Sequence, residues 1–194
     1  MAGGGLPGYY TQLMLTHRLA TEEDLPALRV LMTLAIEMLQ RGFLDKAQIA
    51  ASHAVMGLDT QLVADRTYFI VEEAGVLAGC GGWSRRATLY GGDHSTALRD
   101  AALLDPARDA ARVRAMYTHP DFARRGVGRL ILELCEAAAA ADGFRSVQLM
   151  ATLSGEPLYR ACGYQEMERV AAAPVDGVSV PLILMGKSVP APAS

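Results

Sequence analysis

Three cysteines are all that this 194-residue chain contains. Cys80, Cys135 and Cys162 are odd in number and far apart, and none belongs to a Cys-x-x-Cys or Cys/His spacing. That excludes a disulfide framework and a zinc site of familiar spacing, and makes a reducing, cytoplasmic compartment the expectation. Positive charge is not in excess either. The 18 Lys and Arg are outweighed by 21 Asp and Glu, for a net charge of −3. No global basic field draws the chain to nucleic acid or to an anionic membrane. No apolar run approaches the ~18 residues that a bilayer span requires. The opening MAGGGLPGYYTQ lacks a basic segment followed by an apolar one, so it does not read as a signal peptide. Residues 1–12 read as a disordered leader and 189–194 as a loose tail. Residues 13–188 remain for a single domain, with no internal repeat and no linker. What is present is ordinary for a globular protein: 51% hydrophobic and 20% charged residues, enough to bury a core.

Periodicity divides the chain into alternating elements. Leu13–Ala20 reads as a strand. Thr21 reads as an N-cap, followed by acids and then apolar residues at helical spacing up to Gly42. A second helical region, Asp45 to Asp65, is broken near Gly57. TYFIVEEAGVLAGCGGWS is a hairpin around Ala74-Gly75, and Gly79, Gly81 and Gly82 in its second arm signal a bulge or a close backbone approach. Arg85–Ala111 is a long polar connection, and connections of that length in compact domains tend to carry function. Arg112–Thr118 is a strand. The next helix carries Val127, Leu130, Ile131, Leu134, Ala138 and Ala141 as an apolar stripe and stops at Gly143. SVQLMAT is a strand. SGEPLYRACGY is a short helix with Ser154 as N-cap, Pro157 in its first turn and Gly163 at its end. Strands near Tyr164–Val170 and Val178–Lys187 close the chain, and Pro181 places the last one at an edge or a bulge.

The stretch with most chemical content is HPDFARRGVGRLILELC, His119 to Cys135. A strand, a glycine turn and a helix in succession aim unpaired backbone N–H groups and the positive end of a helix dipole at an anion. Glycine lets a phosphate approach the backbone closely. Arg124, Arg125 and Arg129 add charge. The turn therefore reads as a pyrophosphate cradle. It is not a P-loop, because no Gly-Lys-Ser/Thr is present. It is not a dinucleotide fingerprint, because Ile131 stands where GxGxxG requires the third glycine. A glycine turn into a core helix with solvated arginines is the plain alternative.

Arg112–Val170 as a whole resembles the GNAT superfamily of acyl-CoA-dependent N-acyltransferases. The family loop Q/R-x-x-G-x-G/A corresponds to Ala123-Arg124-Arg125-Gly126-Val127-Gly128, with Ala123 in place of the usual Gln or Arg. The family's closing LYxxxGF/Y is matched in full by Leu158-Tyr159-Arg160-Ala161-Cys162-Gly163-Tyr164. Thr152 occupies the position of a frequent Asn. The resemblance implies an α/β (α+β) fold: a mixed, mostly antiparallel twisted sheet of about seven strands with flanking helices, splayed between strands 4 and 5. It further implies acetyl-CoA in that gap as co-substrate, with no metal. Backbone of Met116, Tyr117 and Thr118 would hold the pantetheine and polarise the thioester carbonyl. Backbone of Arg124, Arg125, Gly126, Val127, Gly128 and Arg129 would hold the pyrophosphate, and Thr152 would add a contact. Tyr159 would be the general acid for the departing thiolate, the alternative being an aromatic that fills the gap.

The general base is not legible. Glu72, Glu73, His94, Asp93 and His119 are candidates, as is a water chain. Arg85 and Arg86 could grip an acceptor carboxylate. The acceptor implied is an amine of a small molecule or peptide. Neither nucleic acid nor membrane is an expected partner, and a homodimer is compatible with a small apolar domain. The competing function is a non-catalytic acyl-CoA-binding or sensing domain of the same fold. A nucleotide binder of P-loop type is a third reading.

Overall fold

The computed structural model describes residues 14–190. The leader and the end of the tail lie outside the described residues. Seven strands form one sheet in the order β1-β2-β3-β4-β5-β7-β6. They are β1 Leu15–Leu19, β2 Tyr68–Glu73, β3 Val76–Ser84, β4 Ala111–Thr118, β5 Ser146–Thr152, β6 Gln165–Ala171 and β7 Pro181–Ser188. Every neighbouring pair is antiparallel except β4 and β5. The helices are α1 Leu25–Leu39, α2 Lys46–Val55, α3 Thr60–Ala64, α4 Val127–Ala141 and α5 Glu156–Ala161.

Alternation along the strands gives each face of the sheet its own core. Val71 packs with α4 residues Val127, Ile131 and Cys135, whereas its neighbour Ile70 packs with Leu28, Met32 and Ile36 of α1. The buried stripe of α4 runs through Val127, Ile131, Leu132, Cys135 and Ala139. It is rotated from the expected one, since Leu130 and Leu134 are half-buried and Ala141 is exposed. This alanine-rich helix is apolar over a wide arc, so its pattern does not single out one centre. The hairpin turns at Ala74 and Gly75, both with positive φ (51° and 77°), the pairing that a two-residue turn of matching twist requires. The helical region expected over 45–65 is two helices, parted at Gly57, as its glycine suggested.

Three local expectations are corrected. Gly155, not Ser154, is the N-cap of α5, and the Ser154 hydroxyl pairs with that of Thr152 (3.1 Å). The last strand is not at an edge: β7 lies between β5 and β6. Pro181 is tolerated because it opens the strand one residue before the pairing with β5 begins at Leu182. Beyond the last strand, Val189 is buried and its N–H bonds the Arg145 carbonyl (2.9 Å).

The feature that shapes the site is the gap beside β4. The parallel pairing of β4 with β5 holds only at Ala111 with Val147 and Arg112 with Gln148. From there to Thr118 the strands part and the sheet opens.

Candidate active site

A cleft of about 860 Å³ occupies one side of the opening. Its wall includes Met116, Tyr117 and Thr118 of β4, the turn residues Arg124, Gly126, Val127, Gly128 and Arg129, and Thr152. The structure therefore brings together all the residues expected to hold the cofactor except Arg125. That guanidinium is taken by Glu73 (2.6 Å) and lies over the Phe122 ring (5.1 Å). The opposite wall, Ala35, Ile36, Leu39 and Phe43, comes from α1 and the segment after it. Sequence reasoning missed that wall. Its one signal is Phe43, a large apolar residue left 49% exposed.

The turn has the geometry of an anion cradle. Arg124 and Gly126 have positive φ (62° and 89°). The first intrahelical bond of α4 runs from Leu130 N–H to the Gly126 carbonyl (3.0 Å). The N–H groups of Val127, Gly128 and Arg129 precede it and have no acceptor within the helix. Arg124 and Arg129 are exposed and form no ion pair among the described residues. The two glycines serve different ends. A Cβ on Gly126 would meet nothing within 4 Å, so its backbone conformation is what calls for glycine. A Cβ on Gly128 would lie 2.6 Å from Leu158 Cδ2, so the contact of α4 with α5 is what calls for the second.

A smaller cavity of about 80 Å³ lies on the other side of the opening. Leu89, Tyr90 and Gly91 of the long connection, Val113 of β4, Met150 of β5 and Leu182 of β7 line it. The two spaces share Met56, Met116, Tyr117 and Thr152. The long connection thus borders a cleft, through Leu89–Gly91 rather than its charged residues. Arg85 pairs with Asp142 (3.3 Å), and Arg86 with Asp65 (2.7 Å). Asp93 accepts from Thr60 and Arg99, and His94 bonds the Ala54 carbonyl (3.0 Å). The other base candidates are committed as well. Glu72 pairs with Arg18, Glu73 with Arg125, and His119 accepts from the Asp121 N–H. None of these seven residues lines either cleft.

Tyr159 projects from α5 toward Met116 and is itself not among the residues that line either cleft. Its hydroxyl makes one long contact, to Met116 Sδ (4.0 Å), and its ring meets Tyr164 edge to face. Burial raises its pKa above the ordinary phenol value, so the hydroxyl holds its proton at neutral pH. Thr152 is less free than expected: its hydroxyl accepts from Gly155 N–H (3.2 Å) and pairs with Ser154. Burial raises the Cys162 pKa, which keeps the sulfur a thiol at neutral pH and argues against a nucleophilic role.

The sequence profile of the acetyltransferase (GNAT) domain matches residues 64–166, slightly more than half of the chain. The chain belongs to the GNAT acetyltransferase family. The match contains β2 to β5, the cradle and Tyr159, and so includes the point where β4 leaves β5. Solved structures share the fold at low identity. A GCN5-related N-acetyltransferase from Rhodopseudomonas palustris is 20% identical with a TM-score of 0.65, over 90% of this chain and 95% of that one. The ribosomal-protein-S18-alanine N-acetyltransferase of Escherichia coli is 17% identical (TM-score 0.58, 93% and 97%). The PaiA N-acetyltransferase of Thermoplasma acidophilum, in complex with coenzyme A, is 12% identical (TM-score 0.60, 91% and 99%). No curated protein matches the sequence. Among the described residues no helix is long and apolar enough to cross a membrane, and no group of three or more His, Cys, Asp or Glu could hold a metal ion.

Proposed function

We propose that the protein transfers an acetyl group from acetyl-CoA to a primary amine of a small molecule or peptide, by direct attack in a ternary complex. The observation that carries this reading is the meeting of two clefts at Met116, Tyr117 and Thr152, where β4 leaves β5. One cleft has the cradle of free N–H groups and cations that a pyrophosphate needs. The other is small and lined by apolar side chains together with Arg114 and Thr152.

The chain's own groups have separable tasks. Backbone N–H groups of Arg124–Arg129, with the Arg124 and Arg129 side chains, bind the diphosphate. Backbone at Met116–Thr118 holds the pantetheine and offers a fixed donor to the thioester oxygen, which gains charge as the amine attacks. Tyr159 gives its proton to the sulfur as the C–S bond breaks. The amine nitrogen forms the new bond to the carbonyl carbon, and its surplus proton leaves to solvent, since the expected base residues lie elsewhere.

The acceptor cavity limits what can enter. At about 80 Å³ it is smaller than the ~150 Å³ cavity that admits benzene. It suits a slim neck next to the amine rather than a ring. The Escherichia coli neighbour is an alanine N-acetyltransferase by its description, which places peptides with a small first residue beside short alkylamines as acceptors to assay.

The test is thiol release from acetyl-CoA with such a panel, run beside calorimetry with CoA. Turnover with a slim amine is expected. CoA binding without turnover on any amine would move the reading to an acyl-CoA sensor. Preference for ATP over CoA would overturn the cradle assignment as well.

A further inference from the structure

Tyr68 opens β2 on the face opposite α4 and is 1% exposed. Its hydroxyl donates to the Ala115 carbonyl (2.7 Å) and lies 3.2 Å from Cys80 Sγ. The acceptor residue is unusual. Ala115 has φ of +51°, a conformation that strains any residue with a Cβ. The ladder slips at the same place. Arg114 pairs with Gly82 and Tyr117 with Cys80, so Ala115 and Met116 together stand opposite Gly81. Two residues against one is a β-bulge, and it bends the strand that carries it. Gly81 leaves room for it, because a Cβ there would come within 2.8 Å of Met116 Cγ and 2.6 Å of Ile131 Cγ2. Beyond the bulge β4 has left β5, and Met116 and Tyr117 line both clefts.

We propose that Tyr68 is a positioning residue for the transfer: by holding the Ala115 carbonyl, its hydroxyl maintains the β4 bulge that sets the Met116–Tyr117 backbone between the two clefts. The proposal rests on the transfer reading given above. The hydroxyl touches no substrate. It acts through a strained residue that, without this partner, gains by relaxing toward regular strand geometry and would carry the donor away from the thioester oxygen. The phosphate cradle lies on a separate turn, so cofactor binding does not depend on the bulge in the same degree.

Tyr68→Phe keeps the ring and removes the bond. The expected result is a fall in kcat of about tenfold to a hundredfold, short of the ~10²–10³ for deleting an oxyanion donor outright. The KM for acetyl-CoA should stay within about threefold, the split that marks loss of a transition-state interaction. Ala115→Gly removes the strain, so Tyr68→Phe/Ala115→Gly should recover kcat while its melting temperature stays low. A purely structural role would leave kcat and stability falling and recovering together. Ala115→Val, with Tyr68 intact, should reproduce the kcat loss and covers the case in which Tyr68→Phe does not fold. The amide NMR signals of Met116 and Tyr117 supply a readout that needs no turnover: they should shift in Tyr68→Phe and return in the double variant. If the wild-type protein acetylates no amine, the transfer reading fails, and shifted amides alone would still place Tyr68 in control of the bulge. A folded Tyr68→Phe with unchanged kcat and unchanged amides overturns the proposal, as does a double variant that recovers neither.

Discussion

Tyr159 carries the sharpest residue-scale prediction. Its hydroxyl makes one weak sulfur contact, to Met116, which lines both clefts, and burial keeps it protonated. Tyr159→Phe preserves the edge-to-face contact with Tyr164, so CoA affinity by calorimetry should be unchanged. Loss of a positioned acid costs ~10²–10⁴ in rate. The low end is expected, because a thiol of pKa ~8.5 already leaves tolerably. The drop should appear in kcat and kcat/KM alike. The direction of the pKa shift adds a second expectation. A phenol raised above its usual ~10 stays an acid through mildly alkaline pH. The wild-type rate should show no Tyr159-dependent fall between about pH 7 and 10. An unchanged kcat in the variant, with chemistry rate-limiting, would make Tyr159 a packing residue.

The glycines of the turn separate two effects that a sequence motif merges. Gly126→Ala places its Cβ in open space but in a left-handed conformation, which costs ~1–2 kcal/mol for a residue with a Cβ. It should weaken CoA binding by distorting the cradle while leaving the rest of the fold intact. Equal CoA affinity in this variant would show that the cradle tolerates the strain.

Among elements, the coupling of α4 to α5 is the consequential contact. Gly128 abuts Leu158, the residue before Tyr159. A larger residue at 128 must push Leu158 aside and α5 with it. Gly128→Val should therefore impair the acid as well as the cradle. Expected are a higher acetyl-CoA KM and a lower kcat together in steady-state thiol release, whereas Gly126→Ala should act mainly on KM. One motif glycine would then report on phosphate binding alone and the other on the geometry between two helices.

At the first turn before α1, Arg18 grips Asp24 through two bonds of 2.8 Å and also reaches Glu72. The Arg18 hydrogen bond, ahead of other causes, lowers the Asp24 pKa from 3.8 to about 2. A carboxylate depressed in the folded state stabilises it above the unfolded pKa and ceases to do so as pH falls through the folded one. The contribution is thus complete above about pH 4 and lost toward about pH 2. Arg18 is 45% exposed, so solvent screening keeps the effect small. Titrating the Asp24 carboxyl by NMR in wild type and in Arg18→Ala should move its midpoint up toward the ordinary range. An unmoved midpoint would assign the depression to the Thr21 backbone N–H instead.

The scale of the whole molecule enters through a charge network that ties the long connection to the sheet. Arg114 of β4 is 3% exposed, and its Nη1 lies 2.6 Å from Asp59 Oδ2, itself fully buried. Asp59 also takes Arg99 (3.0 Å), which holds Asp93 (2.8 Å). Arg114 Nη2 donates to the Gly91 carbonyl (2.9 Å), and Gly91 lines the smaller cavity, the one proposed for the acceptor. Asp59→Asn leaves a buried guanidinium uncompensated, which costs ~3–5 kcal/mol. For a domain of this size that corresponds to a fall in Tm on the order of 10 °C. The acceptor KM should rise, because the loop loses its anchor. Asp65→Asn, which breaks a partly buried pair with Arg86 nearer the surface, should cost less, about 1 kcal/mol. Calorimetric melting of both variants checks the contrast.

Most strands and helices, the hairpin turn and the glycine turn before α4 were legible in the sequence, because each depends on neighbours within a few residues: apolar spacing and a glycine with positive φ. The motif from Ala123 to Gly128 and the run from Leu158 to Tyr164 pointed to the family for the same reason. Three glycines on β3 signalled a bulge or a close approach, and at Gly81 the structure has both. What the sequence could not decide is which charged groups are free. Glu73, Asp93, His94 and Arg85 are plausible catalytic or binding groups one at a time. They are removed from that role by Arg125, Arg99, Ala54 and Asp142, partners as far as 57 residues away in sequence. The smaller cavity has the same origin. Tyr90, Met150 and Leu182 belong to three separate segments, and only the parting of β4 from β5 brings their side chains around one space. Local backbone chemistry is written in adjacent residues, whereas a cavity and its free charges are products of long-range packing.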